Sequence, residues 1–90
     1  MKLDSKFYGH IFKFKDGSRV PDDEYVVFLA KDNAFPATAA FYRQECERLG
    51  ADAEQLAAVD RLIGRLMQWR YDNPHRLKVP DARGEALLDV

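Results

Sequence analysis

The N-terminal third of the chain has the pattern of β-strands. Residues 7–15 are rich in aromatic and β-preferring types and end in alternating polar and apolar positions, which predicts a strand. A period of two places four side chains on one face as core candidates: Tyr8, His10, Phe12 and Phe14. The pair Asp16-Gly17 is a tight-turn signal, so Arg19 and Val20 are predicted to begin a return strand.

A continuous apolar run, Tyr-Val-Val-Phe-Leu-Ala, follows at residues 25–30. Its β-branched and aromatic content predicts a third, central strand. The alternative is a helix beginning at Pro21 with acidic residues in its first turn. Because short apolar runs fit either structure, both interpretations stay open for residues 21–31.

A first helix is predicted from a cap at Asp32 or Asn33 to Leu49. At about 100° per residue, six side chains form one stripe: Phe35, Thr38, Ala39, Tyr42, Cys46 and Leu49. Phe41 lies off this stripe. An aromatic side chain there either covers a second element or is offered to a partner, and we list it as a candidate partner-binding residue.

The second helix has the clearest start, because Asp52 stands three residues before Gln55 as an approximate capping box. Its apolar stripe comprises Leu56, Val59, Leu62, Ile63, Leu66 and Trp69, and Pro74 ends the helix near residue 72 or 73. The link Gly50-Ala51 is short enough to force an antiparallel helical hairpin.

These elements predict a small α+β domain over residues 1–78. An N-terminal antiparallel β-meander of two or three strands would pack against the helical hairpin. Residues 79–90 are predicted to form an extended C-terminal tail with a possible last turn over 85–90.

The amino-acid composition predicts a globular protein and a cytoplasmic location. Ninety residues, 47% of them hydrophobic, fit one globular domain, and a chain this short gains stability by self-association. One cysteine and the lack of a long apolar run predict a cytoplasmic protein that does not enter a membrane. The net charge of −1 argues against general nucleic-acid binding.

Charge is unevenly distributed along the chain. The net charges are +3 for residues 1–19, −6 for 20–60, +4 for 61–78 and −2 for 79–90. Such blocks can pair with one another within the fold, which is the commoner arrangement, or pair two subunits head to tail.

No catalytic, metal or cofactor motif stands out. His10 and His75 have no ligand partner at metal spacing, and Cys46 falls on an apolar stripe, where free cysteine behaves as a small hydrophobe. We therefore predict no catalytic residue, no metal and no cofactor, and we do not favour an enzyme.

Arginines and aromatic residues alternate at the end of the second helix. The candidate ligand or partner residues there are Arg65, Trp69, Arg70, His75 and Arg76. Arginine with aromatics can hold a phosphate and stack a base, although cations also gather at helix C-termini to complement the dipole. Arg70 falls between Ile63 and Leu66 on the apolar stripe. Three interpretations stay open for it: it extends past the helix end to water, pairs with a carboxylate across the fold, or lies in a subunit interface or pocket. Gly64, in mid-helix, can permit close approach of another backbone.

The sequence therefore favours a non-enzymatic binding protein that forms a homo-oligomer and acts through a protein surface. The alternative is a binder of a nucleotide or another phosphorylated small molecule through the arginine and aromatic cluster.

Overall fold

The computed structural model describes residues 1–81. Two β-strands, Ile11–Phe12 (β1) and Arg19–Val20 (β2), precede two α-helices, Phe35–Arg48 (α1) and Ala53–Asp72 (α2), and a 3₁₀ turn, Pro74–Arg76. This order confirms the predicted α+β class with an N-terminal antiparallel sheet and a helical pair.

The chain forms two compact units, which are described separately. The N-terminal unit is Met1–Phe28 with Asp81, and the helical unit is Leu29–Pro80. The prediction of one domain over residues 1–78 stays a prediction. Most of the predicted tail, residues 82–90, lies outside the described residues, and so does its predicted last turn.

The β-hairpin of the N-terminal unit confirms the predicted turn and return strand. β1 and β2 pair antiparallel, with Ile11 opposite Val20. Gly17 has φ +72°, a left-handed conformation that glycine adopts without a steric penalty. The Asp16 carboxylate accepts hydrogen bonds from the Ser18 amide at 2.9 Å and its hydroxyl at 2.6 Å, which closes the turn.

The first strand is shorter than predicted, and its proposed core face is wrong. Only two residues of the predicted strand over 7–15 pair with β2. The four side chains expected in the core are all exposed: Tyr8, His10, Phe12 and Phe14. An alternating pattern buries a face only when a long enough strand holds it against another layer, and two paired residues do not.

Residues 25–30 form neither the predicted central strand nor a helix. The chain turns after Pro21, where the Glu24 amide donates to the Pro21 carbonyl at 3.0 Å. The Val27 amide then donates to the Asp4 carboxylate at 2.6 Å. A side chain takes the place that a neighbouring strand would have, so an apolar run with strand propensity stays irregular.

α1 starts later than predicted, because Ala34 occupies the N-cap position in place of Asp32 or Asn33. The Asp32 carboxylate still accepts a hydrogen bond from the Ala34 amide at 2.7 Å. Pro36 stands in the first turn, where its missing N–H removes no helical hydrogen bond.

Hydrogen bonds fix the backbone of the link between the helices, both at the end of α1 and at the start of α2. Gly50 has φ +80°, and the Ala51 amide donates to the Cys46 carbonyl at 2.9 Å, which is a Schellman ending for α1. The Asp52 carboxylate then accepts from the Gln55 amide at 2.8 Å and caps α2 as predicted. The two helices therefore form the predicted antiparallel hairpin.

The buried apolar residues of the described chain all belong to this hairpin: Ala39, Cys46, Val59 and Leu66. Ala39 and Cys46 are small, and no large side chain among residues 1–81 is fully buried. Across the hairpin the Arg43 Nε donates to the Asp60 carboxylate at 2.9 Å. The core is thus small for a chain of this length. Within the described residues, neither helix is long and apolar enough to cross a bilayer.

Candidate functional site

Arg70, the cation that the sequence places on the apolar stripe, is bound by the chain that precedes α1. Its Nη1 donates to the carbonyl oxygens of Ala30 at 3.0 Å and Asp32 at 3.2 Å, and its Nη2 donates to the Asn33 Oδ1 at 2.7 Å. Three acceptors therefore hold the half-buried guanidinium, and none of its hydrogen-bond partners among residues 1–81 is a carboxylate. This fork geometry is one that arginine provides and lysine does not.

Backbone pairing holds the same segment from another side. The Asn33 amide donates to the Lys78 carbonyl at 3.0 Å, and the Lys78 amide donates to the Lys31 carbonyl at 3.0 Å. These bonds make a single parallel bridge between Asp32 and Lys78. Residues 31–33 are thus hydrogen-bonded both to Lys78, after the 3₁₀ turn, and to Arg70 near the end of α2.

Arg76 and Trp69 form a second contact. The Arg76 guanidinium lies 4.8 Å from the centre of the Trp69 ring, a cation–π distance. The Asn73 side chain links them, since it donates to the Trp69 carbonyl at 2.8 Å and accepts from Arg76 at 3.5 Å. His75 is exposed beside them in the 3₁₀ turn. This pair occupies a different side of α2 from Arg70, because consecutive residues are about 100° apart.

The remaining candidates are exposed and lie elsewhere. Arg65 is on the solvent side of α2, and Phe41 is on α1 with 62% of its surface exposed. Phe41 is therefore mostly open to solvent. The structure brings Trp69 and Arg76 together. Arg65 lies one turn before Trp69 on α2, and Phe41 lies on α1.

A shallow groove runs along the outer face of α2. Its volume is 630 Å³, and its lining residues are Gly64, Met67, Gln68, Arg70, Tyr71 and Leu77. A side chain at Gly64 would meet nothing within 4 Å, so no described backbone approaches this glycine. Tyr71 is 82% exposed on the rim. The guanidinium of Arg70 directs its Nη1 and Nη2 donors to residues 30–33 and not to this groove.

Asp4 is a buried carboxylate that the sequence reasoning missed. Its Oδ1 accepts from the amides of Lys6 at 2.8 Å and Phe7 at 2.7 Å, while its Oδ2 accepts from the Val27 amide at 2.6 Å. An aspartate that accepts from the amide two residues on is a common turn signal, which could have indicated the first contact. Nothing local in the sequence indicates Val27, 23 positions away.

The environment of Asp4 favours its ionised form. Burial raises the pKa of Asp4, but the hydrogen bonds from the amides of Val27, Phe7 and Lys6, together with the charge of Lys2, outweigh burial and lower it. The carboxylate is therefore charged at neutral pH and organises the chain around it. A group that is fully hydrogen-bonded in this way serves structure and not proton transfer.

Lys2 and Tyr25 complete this arrangement. The Lys2 Nζ lies 5.0 Å from the centre of the Tyr25 ring, and the Tyr25 hydroxyl donates to the Gly9 carbonyl at 3.0 Å. Cation, ring and carbonyl thus connect the first residues of the chain to the segment after β2.

Side chains of the types that bind metals or act as nucleophiles are arranged as follows among residues 1–81. No group of three His, Cys, Asp or Glu side chains among residues 1–81 is arranged to hold a metal ion. The Cys46 thiol is buried in the helical hairpin, and its hydrogen bond with Tyr42 raises the pKa of that hydroxyl. A more acidic hydroxyl would be needed for nucleophilic or acid–base work at neutral pH.

The N-terminal unit presents its aromatic residues to solvent. Tyr8 is 92% exposed and Phe14 is fully exposed, and Phe12 lies in an edge-to-face contact with His10 at 6.4 Å between ring centres. Lys13 and Lys15 are exposed in the same hairpin. A concentration of exposed aromatics of this kind is typical of an interaction surface.

Comparison with protein family models, curated proteins and solved structures finds no match to the chain.

Proposed function

We propose that this protein is a non-enzymatic binding protein that acts through its surface and associates with itself. The observation that carries the proposal is the inverted distribution of large apolar side chains. Among residues 1–81 only four apolar side chains are buried, the largest of them Leu66, whereas many large ones are more than half exposed, among them Tyr8, Phe12, Phe14, Phe41, Leu49 and Tyr71. Full burial of such a side chain is worth about 1.5–3 kcal/mol, so a partner that covers several gains substantial free energy.

The arginine contacts favour this proposal over the phosphorylated-ligand hypothesis. A phosphate site needs guanidinium donors directed to one point. Arg70 directs its donors to residues 30–33, and Arg76 lies over Trp69. A ligand at either arginine would have to replace contacts that the chain already makes.

Sedimentation velocity across the micromolar range tests the proposal. We expect species heavier than the 10.4 kDa chain, in proportions that rise with concentration. One species at 10.4 kDa throughout would contradict self-association. Native mass measurement with a mixture of nucleotides and polyphosphates adds a control, because a retained anion would favour the ligand hypothesis.

A further inference from the structure

The β-hairpin carries both aromatic surface and positive charge. We define the hairpin surface as Tyr8, Phe12, Lys13, Phe14 and Lys15, all of them exposed. Residues 6–19 contain four basic and one acidic side chain, which gives a net charge of +3. The acidic one, Asp16, accepts hydrogen bonds from Ser18 in the turn, and Arg19 is paired with Asp22, so the hairpin surface takes its positive charge from Lys13 and Lys15. A partner for this surface therefore needs an apolar contact surrounded by carboxylates.

The link between α1 and α2 has that chemistry. We define the helical link as residues 45–54, which carry four acidic side chains and one basic one, for a net charge of −3. The basic one, Arg48, is paired with Glu45, and Glu47 is paired with Arg43, which lies just outside this range. Asp52 accepts from the Gln55 amide as the cap of α2. Leu49 stands at the centre with 72% of its surface exposed, and Glu54 is exposed in the first turn of α2.

The helical link is also well defined in shape. The Schellman ending at Gly50 and the Asp52 cap fix its backbone, so Leu49 and the acidic side chains are presented with little conformational entropy to lose. An exposed leucine on a fixed backbone with acidic neighbours suits a partner that carries aromatic and basic side chains.

From this complementarity we infer that the hairpin surface binds the helical link of a second copy of the chain. The inference rests on the self-association proposed above and names the surfaces that make the contact. Leu49 would pack among the aromatic rings, and Lys13 and Lys15 would lie opposite Glu47 and Glu54. The contact is head to tail, so it builds either a closed ring or an open chain of subunits.

The available area sets the expected strength. Three aromatic side chains can bury on the order of 150–250 Å² each, which gives about 1,200 Å² when both partners are counted. That area is at the low end for specific interfaces, so we expect association in the micromolar range. Charge pairs at the rim make the association sensitive to salt, because the Debye length falls from about 10 Å at 0.1 M to about 3 Å at 1 M ionic strength.

Charge exchange between two variants tests the contact. The hairpin variant carries Lys13→Glu and Lys15→Glu, and the link variant carries Glu47→Lys and Glu54→Lys. Neither pair of changes removes a buried residue, and Arg43 keeps Asp60 when Glu47 is replaced. Alone, each variant sets like charges against each other, and we expect its dissociation constant to rise roughly ten-fold or more.

Mixing the two variants should restore association, because every contact between unlike variants again joins opposite charges. A matched control carries Arg61→Glu, Ala37→Glu and Ala40→Glu, the same change in net charge as the hairpin variant, placed on exposed positions of the two helices. We expect the control to associate like the wild type. Melting curves for all variants confirm that each one folds.

Three results would overturn the inference. Association that survives both variants would place the contact elsewhere and leave the proposed function standing. Failure of the mixture to recover would show that the two surfaces do not meet. A wild type that stays monomeric, yet binds a single-stranded oligothymidine probe through Lys13 and Lys15, would replace the second copy by a polyanion and would contradict self-association as well.

Discussion

In both the N-terminal unit and the helical unit, a charged side chain binds backbone groups that lie outside regular secondary structure, but the two side chains have opposite charges. In the N-terminal unit, the buried Asp4 carboxylate accepts three backbone amides from two separate stretches of chain. In the helical unit, the Arg70 guanidinium donates to two backbone carbonyls and one side-chain amide oxygen of a single stretch. In each case an ionised side chain satisfies irregular backbone that no strand or helix satisfies.

The difference between them lies in what else holds each unit. Two helices satisfy their own backbone and meet through Val59, Leu66 and smaller residues, so Arg70 supplements an existing core. The N-terminal unit has a hairpin of two paired residues per strand and no buried apolar side chain among its described residues. Its order therefore depends far more on one carboxylate, and its apolar side chains are left for a partner.

Leu66→Ala should have the largest effect on stability. Leu66 is 5% exposed in the helical hairpin, and truncation of a buried leucine costs about 2–5 kcal/mol. Denaturant titration measures the change in the free energy of unfolding. Lys13→Ala, at an exposed position, is the control and should cost little. Equal and small losses would mean that the apolar stripe of α2 does not form the core.

Asp4→Ala should be the most damaging change in the N-terminal unit. Three amides lose their acceptor, and each buried donor left unsatisfied costs about 1–3 kcal/mol. We expect a total near 3 kcal/mol, since some of these amides can reach water. Amide exchange gives a local readout: Lys6, Phe7 and Val27 should exchange faster. Unchanged exchange at all three would show that the carboxylate does not organise this unit.

Acid should weaken the same arrangement. Because the folded pKa of Asp4 lies below its ordinary value of 3.8, the ionised group stabilises the fold above that value. This contribution is lost as the pH falls through the folded pKa. Asp4→Asn keeps an acceptor but cannot ionise, so its stability should vary less with pH below 4 or so. The check is the free energy of unfolding of both proteins measured between neutral pH and acid. If the stability of the wild type and that of Asp4→Asn fall equally with pH, the assignment is contradicted.

Arg70→Met should cost less than either change. Methionine fills the apolar stem of the side chain, and the carbonyls of Ala30 and Asp32 keep partial access to water, so we expect a loss of about 1–2 kcal/mol. Arg65→Met, on the exposed side of α2, is the matched control and should be nearly neutral. Thermal melting compares the two. A destabilisation equal to that of Leu66→Ala would place Arg70 at the centre of the fold.

Sequence patterns predicted the helical unit far better than the N-terminal one. The Asp52 cap, the link at Gly50 and the end of α2 near Pro74 follow from local rules, because a helix satisfies its own backbone. Residues 25–30 have strand propensity, but the Val27 amide binds the carboxylate of Asp4, 23 positions away. No local pattern encodes that contact. Likewise, the stripe indicated that Arg70 is unusual, but its acceptors at Ala30, Asp32 and Asn33 depend on tertiary contacts that no local pattern encodes.

The most direct test of the central claim, that the exposed apolar surface serves self-association, is an NMR titration of the wild-type chain with its own concentration. We expect the amide signals of residues 8–15 and 45–54 to shift progressively as the concentration rises through the micromolar range, while those around Leu66 stay in place. Spectra that are identical at every concentration would contradict the account.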